Sequence, residues 1–239
     1  MSTSAPRRRS RLGRRLVIVL LVMIGLLVVA DRVADAVAEH EAATLLQRSQ
    51  NLTHRPDVSI TGFPFLTQLA GGDFDEIDVR ADDLTVGDGS RELRVRRLDV
   101  AMHQVHVARD FRSATSKSST ATAQIRYSDV GSALGVALAY AGDHRVRATH
   151  TVTVAGASVP ASATAGVHLD GSGELTFVDP KITVAGRSVP AEVSSYFTGV
   201  FGTAIPLRGL PFGVQVRSVS AAADGLTVRL TAHQLTFRR

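Results

Sequence analysis

The sequence predicts an α+β protein that is largely β after one early helical region. Three observations lead there. An uncharged run, Leu16–Ala30, follows a cluster of arginines. A helix-period stretch occupies Asp31–Ser49, and beyond Pro56 the apolar residues recur at period two nearly to the end of the chain.

The first element is set by charge. Six of the 27 basic residues lie within residues 1–15, where no acid occurs, so the rest carries 21 basic against 22 acidic residues. The excess charge is a tail, and it excludes the nucleic-acid reading that a pI near 10.3 invites; no Trp and only three Tyr are present for base stacking. Arginines followed by fifteen apolar residues have the order of an export signal. As a helix the run rises about 22 Å, short of the roughly 30 Å hydrocarbon core, a gap that Arg15, Val33 and Ala34 can help to close. Two export readings follow, an uncleaved anchor, which is preferred, or a signal cut near Ala36-Val37-Ala38. Both put residues 1–15 in the cytoplasm and 31–239 outside.

From Asp31 to Ser49, Val33, Ala34, Val37, Ala38, Leu45 and Leu46 fall near one face, with Arg32, Asp35, Glu39, Glu41 and Arg48 mostly elsewhere. This amphipathic helix is expected to stop before Pro56. Val58/Ile60, Ile77/Val79, Leu84/Val86 and Leu93/Val95 then alternate as half-buried strands. Leu98, Val100 and Met102 resume out of phase, so a bulge or bend is expected at Arg96-Arg97, with a second slip before Val105. Ser113–Thr122, small and polar without a period, reads as a surface loop. Ser128 is expected to cap a helix over Asp129–Leu138. Strands follow at Val146–Val154, Val159–Leu169, Glu174–Val184, Val214–Val219 and Leu226–Phe237, with a second helix near Ala191–Thr203 opening on Pro190. Thr153–Ala161 and Thr183–Ala191 agree at eight of nine positions. Each reads as a hairpin tip, a strand turned by Gly and stopped by Pro.

Chemistry is sparse. There is no Cys, which excludes disulfides, thiol nucleophiles and thiolate metal sites. No nucleophile elbow, Walker motif or dinucleotide glycine pattern occurs. His103 and His106 would point to opposite faces of a regular strand; only a bulge between them brings them together. The acids from Asp73 to Asp88 are interrupted by Ile77, Val79 and Leu84, which reads as solvated strand edges and turns rather than a calcium loop. No cofactor or metal is expected.

The informative segment is Gly62-Phe63-Pro64-Phe65-Leu66-Thr67-Gln68, which holds two of the nine Phe, with Leu69 beyond. The pattern V-x-I-x-GFPFLTQ over Val58–Gln68 resembles the signature of the LmeA-type phospholipid-binding family of actinobacterial envelope proteins. The N-terminal Arg-plus-apolar segment, Tyr127-Ser128-Asp129-Val130, Leu210-Pro211-Phe212-Gly213 and Asp224–Val228 agree, so the resemblance spans roughly residues 30–237. It implies a tubular lipid-binding fold, with a strongly curved antiparallel sheet wrapped on the long helix. It further implies an exported, non-catalytic protein that binds phospholipid or glycolipid and serves mannosylated-glycolipid (lipomannan-type) biogenesis. An acyl chain would lie in a groove between sheet and helix, with Phe63, Phe65, Leu66 and Leu69 as groove or rim contacts, Pro64 fixing the turn, and Phe197, Phe201 and Phe212 secondary. For each of these residues core packing is the competing role. An anchored scaffold and, behind it, a glycolipid-modifying enzyme are the competing functions; protein partners are not written in the sequence.

Overall fold

In the structure, a computed structural model that describes residues 10–87, 92–110, 113–154, 156–171, 173–184, 188–203, 205–206 and 215–238, the chain opens with one uninterrupted helix, α1 (Ser10–Ser49). There follow β1 (Asp57–Thr61), α2 (Phe65–Gly71), β2 (Asp73–Gly87), β3 (Glu92–Val107), β4 (Ser113–Ile125) and α3 (Tyr127–Leu134). The second half comprises β5 (Ala137–Gly142), β6 (Arg145–Val154), β7 (Ala157–Leu169), β8 (Glu174–Val184), α4 (Ala191–Phe201), β9 (Ile205–Pro206), β10 (Gln215–Ala222) and β11 (Gly225–Arg238). Two antiparallel sheets result, β1-β2-β3-β4-β11-β10 and β5-β6-β7-β8-β9. The α+β class and the long leading helix are those expected.

The expected membrane and amphipathic helices are one element. Leu16 to Val29 stand clear of the protein, their large apolar side chains 39–67% exposed. Among the described residues this is one helix long and apolar enough to cross a membrane. Pro56 does not end α1. Asn51 takes a left-handed conformation (φ 51°), and the N–H of Leu52 donates to Gln47 O at 2.9 Å, which closes the last turn as a Schellman motif.

The predicted phase slips occur, in a form the sequence does not disclose. Val95 and Leu98 are both buried, as are Ala81 and Leu84 opposite them, with Arg96-Arg97 and Asp82-Asp83 outside. β2 and β3 keep one register from Asp73↔His106 to Gly87↔Glu92, skipping only the pairs at Asp75 and Asp83. Neither strand therefore carries an extra residue; both invert together. A second crease crosses Asp75, Gln104 and Lys117, and Met102/Val105 and Ser116/Ser119 are buried on its two sides. Asp83 and Gln104 carry the inversions on positive φ, both 50°. His103 and His106 accordingly share the outer face. The opposite-face expectation for a regular strand does not hold.

Several other expectations need correction. Ser113–Thr122 is no loop; it is most of β4, a central strand between β3 and β11. Its inward positions are Ser116, Ser119, Ala121 and Ala123, too small and polar to register as an apolar alternation. The two buried hydroxyls satisfy each other at 2.7 Å. The helix expected over Asp129–Leu138 runs Tyr127–Leu134, because Gly135 (φ 70°) stops it and β5 begins. Ser128 lies inside that helix, and Arg126 occupies the cap position. Pro190 is likewise the residue before α4 and not its first turn. Of the two repeated segments, the first forms the β6–β7 hairpin, turning at Gly156 (φ 83°). The second begins as the end of β8, its expected tip at 185–187 lies outside the described residues, and its last residues, from Ser188, lead into α4. The end of the first meets the start of the second across the sheet at Ala161↔Val184.

Candidate functional site

Past the apolar stretch, α1 lies along the edge strand β1 and α2. The face it buries is not the expected one. Asp31 (3% exposed), Asp35 (8%) and Ala43 (5%) are buried, with Ala34, Ala38, Ala42 and Leu46 half-buried, whereas Val33, Val37 and Leu45 stand 58%, 57% and 41% exposed. Hydrogen bonding explains the inversion. An edge strand and a helix start present backbone N–H groups without partners in their own element. Asp31 Oδ1 accepts the N–H of Leu66 at 2.8 Å, and Glu39 Oε1 accepts the N–H of Ile60 at 2.8 Å. Arg32 donates to Asp31 Oδ2 at 2.8 Å and pairs with Asp35 Oδ2 at 3.3 Å. The Leu66 N–H holds the Asp31 carboxyl below its ordinary range. Asp35 moves the other way: loss of solvent and then the charge of Glu39 raise it, and its Oδ1 is buried without a partner.

The Gly62–Gln68 segment is the other half of this corner. Gly62 (φ 126°) turns the chain out of β1, and a Cβ there would come within 2.2 Å of Gln68 Nε2. Gln68 Oε1 in turn accepts the N–H of Asp75, tying α2 to the start of β2. Phe65 is 1% exposed, its ring 6.1 Å from that of Phe74. Phe63 is thrown outward, 65% exposed, with the Arg32 guanidinium 5.4 Å from its ring centroid. Pro64 is exposed, Leu66 is 39% exposed and Leu69 is half-buried against the core. Phe63 to Leu69 thus form one cluster. Phe197 (0%) and Phe201 (4%) belong to α4, which packs on β6, β7 and β8, where the Phe201 ring lies 5.3 Å from Phe177. Phe212 and the Leu210–Gly213 motif lie outside the described residues.

Behind the corner runs the inner face of the six-stranded sheet. Phe74, Val79, Leu98, Val100, Ala121, Ala123, Val228 and Leu230 are all buried on it, and Leu93 and Ile125 continue it to the far end. Its outer face is polar, with Arg80–Asp99 at 2.6 Å, Arg97–Asp82 at 2.9 Å and His106–Asp73 at 2.7 Å. Much of the acidic stretch is therefore engaged in cross-strand pairs, and among the described residues no cluster of metal-ligand type occurs. At the far end Tyr127 donates to Ala222 O at 2.5 Å and Gly225 O at 3.2 Å; burial first of all pushes its hydroxyl up to about 12.

The carboxylates of α1 are what sequence reasoning missed. The four-residue spacing of Asp31, Asp35 and Glu39 was visible, but it reads as a solvated face unless the orphan N–H groups that Asp31 and Glu39 serve are known.

The fold defines an α+β protein whose apolar leading helix, long enough for a membrane anchor or a signal sequence, is locked to an antiparallel sheet with an apolar inner face. A family model described as LmeA-like phospholipid-binding matches residues 29–231. The chain belongs to that family. The match starts just ahead of Asp31 and leaves out most of the apolar stretch. Comparison with curated proteins and with solved structures gave no significant match.

Proposed function

We propose that the chain is a non-catalytic phospholipid carrier of the actinobacterial cell envelope. It is held at the extracytoplasmic side of the membrane by residues 16–30 and supports mannosylated-glycolipid assembly. An acyl chain lies along the inner face of the β1–β4, β10 and β11 sheet and enters past α2. Phe63, Pro64, Leu66 and Leu69 form the mouth, Phe65 stands behind it, Phe197 and Phe201 serve the second sheet, and Phe212 is a further lipid contact.

The observation that carries this reading is the run of apolar side chains along the inner face of β2 and β3. It starts at Phe74, against Phe65 of α2, and reaches Leu93 in a chain of a phospholipid-binding family. The groove was expected between sheet and helix; at α1 and β1 alanines and hydrogen-bonded carboxylates close the seam, and the apolar inner face of the sheet is the surface on which this reading rests. Withdrawing a roughly sixteen-carbon chain from water is worth about 12 kcal/mol at ~0.8 kcal/mol per methylene. A lipid leaving a bilayer exchanges one apolar medium for another, so loading and release are nearly balanced. Residues 16–30 would keep the mouth at the membrane and raise its local concentration there.

Native mass spectrometry of the full chain released from detergent tests the reading. A diacyl phospholipid adduct is expected, lost or reduced in Phe63→Asp while circular dichroism is unchanged. A clean apo mass from a folded wild-type chain contradicts it and favours a scaffold.

A further inference from the structure

The strand registers fix which end of the molecule is nearest the apolar part of α1. Asp31 accepts the Leu66 N–H, Thr61 pairs with Glu76, and Asp73, His106, Thr115 and Thr236 form one row across the sheet. From that row β2 runs ten residues to Asp83, about 33 Å at strand rise. The level reached is that of Ile125, Leu226 and Ala221, where the His144 Nδ1–H donates to Ala221 O and joins the second sheet. The first sheet thus has a near end at α2 and a far end at the second sheet.

Phe63 sits at the near end, with its ring under the guanidinium of the second residue after Ala30. Among the described residues it is one of the most exposed large apolar side chains, at 65%, level with Val19 and Leu26 of the apolar stretch. On the same stretch of α1, Val33 and Val37 prolong the apolar surface by two turns on the side away from β1.

We infer that the α1–α2 corner is a membrane-docking surface: Phe63, beneath Arg32 and with Leu66, Val33 and Val37 exposed on the same two helices, inserts into the interfacial layer of the bilayer that α1 enters. The occupant follows from continuity. Residues 16–30 and Phe63 are joined through Asp31 and Arg32 without a flexible link, so a bilayer that covers the first reaches the second. Arg32, stacked on the ring, is placed at the depth of headgroup phosphates, where a guanidinium is favoured. Such a corner would fix the tilt of the exported part and hold the proposed lipid mouth against the membrane. The docking rests on the anchor and not on lipid occupancy of the sheet.

The chain has no Trp, so single-Trp variants of the full chain report depth directly. Phe63→Trp keeps an aromatic ring beneath Arg32, Leu27→Trp marks the apolar stretch, and Val178→Trp, at a site 39% exposed on β8, marks the second sheet. In phosphatidylcholine–phosphatidylglycerol vesicles, Phe63→Trp and Leu27→Trp are expected to show blue-shifted emission, quenching by lipids brominated high on the acyl chain and protection from acrylamide. Val178→Trp is expected to be quenched by acrylamide alone. Phe63→Trp behaving like Val178→Trp while Leu27→Trp responds to brominated lipid overturns the docking and leaves the anchor standing. Phe63→Trp shielded from both quenchers assigns the ring to a protein contact and also overturns it. No lipid quenching of Leu27→Trp removes anchor and docking together. Lipid adducts in native mass spectra are independent of all three results.

Discussion

Asp31 and Asp35, one helical turn apart on the same buried face, are opposed in what ionisation does for the fold. Asp31 is held below the ordinary carboxylate range by the Leu66 N–H, so its contribution is present above that range and is lost as pH falls through its lowered value. Asp35 is raised by desolvation and by Glu39, so the folded state favours its neutral form, and stability declines as pH rises through the interval above the ordinary value. Asp31→Asn should therefore lower Tm at neutral pH and Asp35→Asn should raise it, and both differences should shrink in acid. Thermal melts of the two variants across pH check this; equal and opposite-to-expected shifts would mean that the carboxylates do not hold the corner. Tyr127→Phe removes a hydroxyl donor shared by two carbonyls. It should cost roughly 1 kcal/mol, about 2–4 °C in Tm for a chain of this size, read by calorimetry.

At the scale of elements, β-turn geometry is the most demanding local feature. Gly225 opens β11 with φ 144°, and a Cβ there would lie 2.5 Å from the carbonyl oxygen of Ile125. Gly225→Ala is expected to destabilise by about 1–3 kcal/mol in denaturant unfolding, because a backbone carbonyl inside a paired strand cannot move aside. Elements whose apolar residues were both large and periodic were legible in the sequence: Glu174–Val184 is β8 to the residue, and the slip at Arg96-Arg97 is real. Those carried by small or polar residues were not. β4 hides its inward face in Ser and Ala, and α2 is too short to show a period. The buried face of α1 was misread because carboxylates that serve N–H groups of β1 and α2 look, along the chain, like a solvated stripe. For the candidate site, the GFPFLTQ segment was legible as a unit, while the division of labour between buried Phe65 and outward Phe63 needed the fold.

For the whole molecule, the corner ties the apolar helix to the sheets so closely that any processing of the helix and folding would be linked. A cut after Ala38 would remove Asp31, Arg32 and Asp35 from α2. The mature N-terminus is therefore expected ahead of Asp31, by intact-mass analysis of chain extracted from membranes; a mature protein starting at Glu39 would show that the corner is dispensable. The central claim is that an acyl chain occupies the inner face of the long sheet. It is tested most directly by photolabelling the full chain with a phospholipid bearing a diazirine on its acyl chain and mapping the labelled residues. Labels on the β2, β3, β4 and β11 residues that face inward, such as Val79, Val100, Ala121 and Leu230, are the predicted result. Labels confined to residues 16–30 would place the lipid around the anchor alone and contradict it.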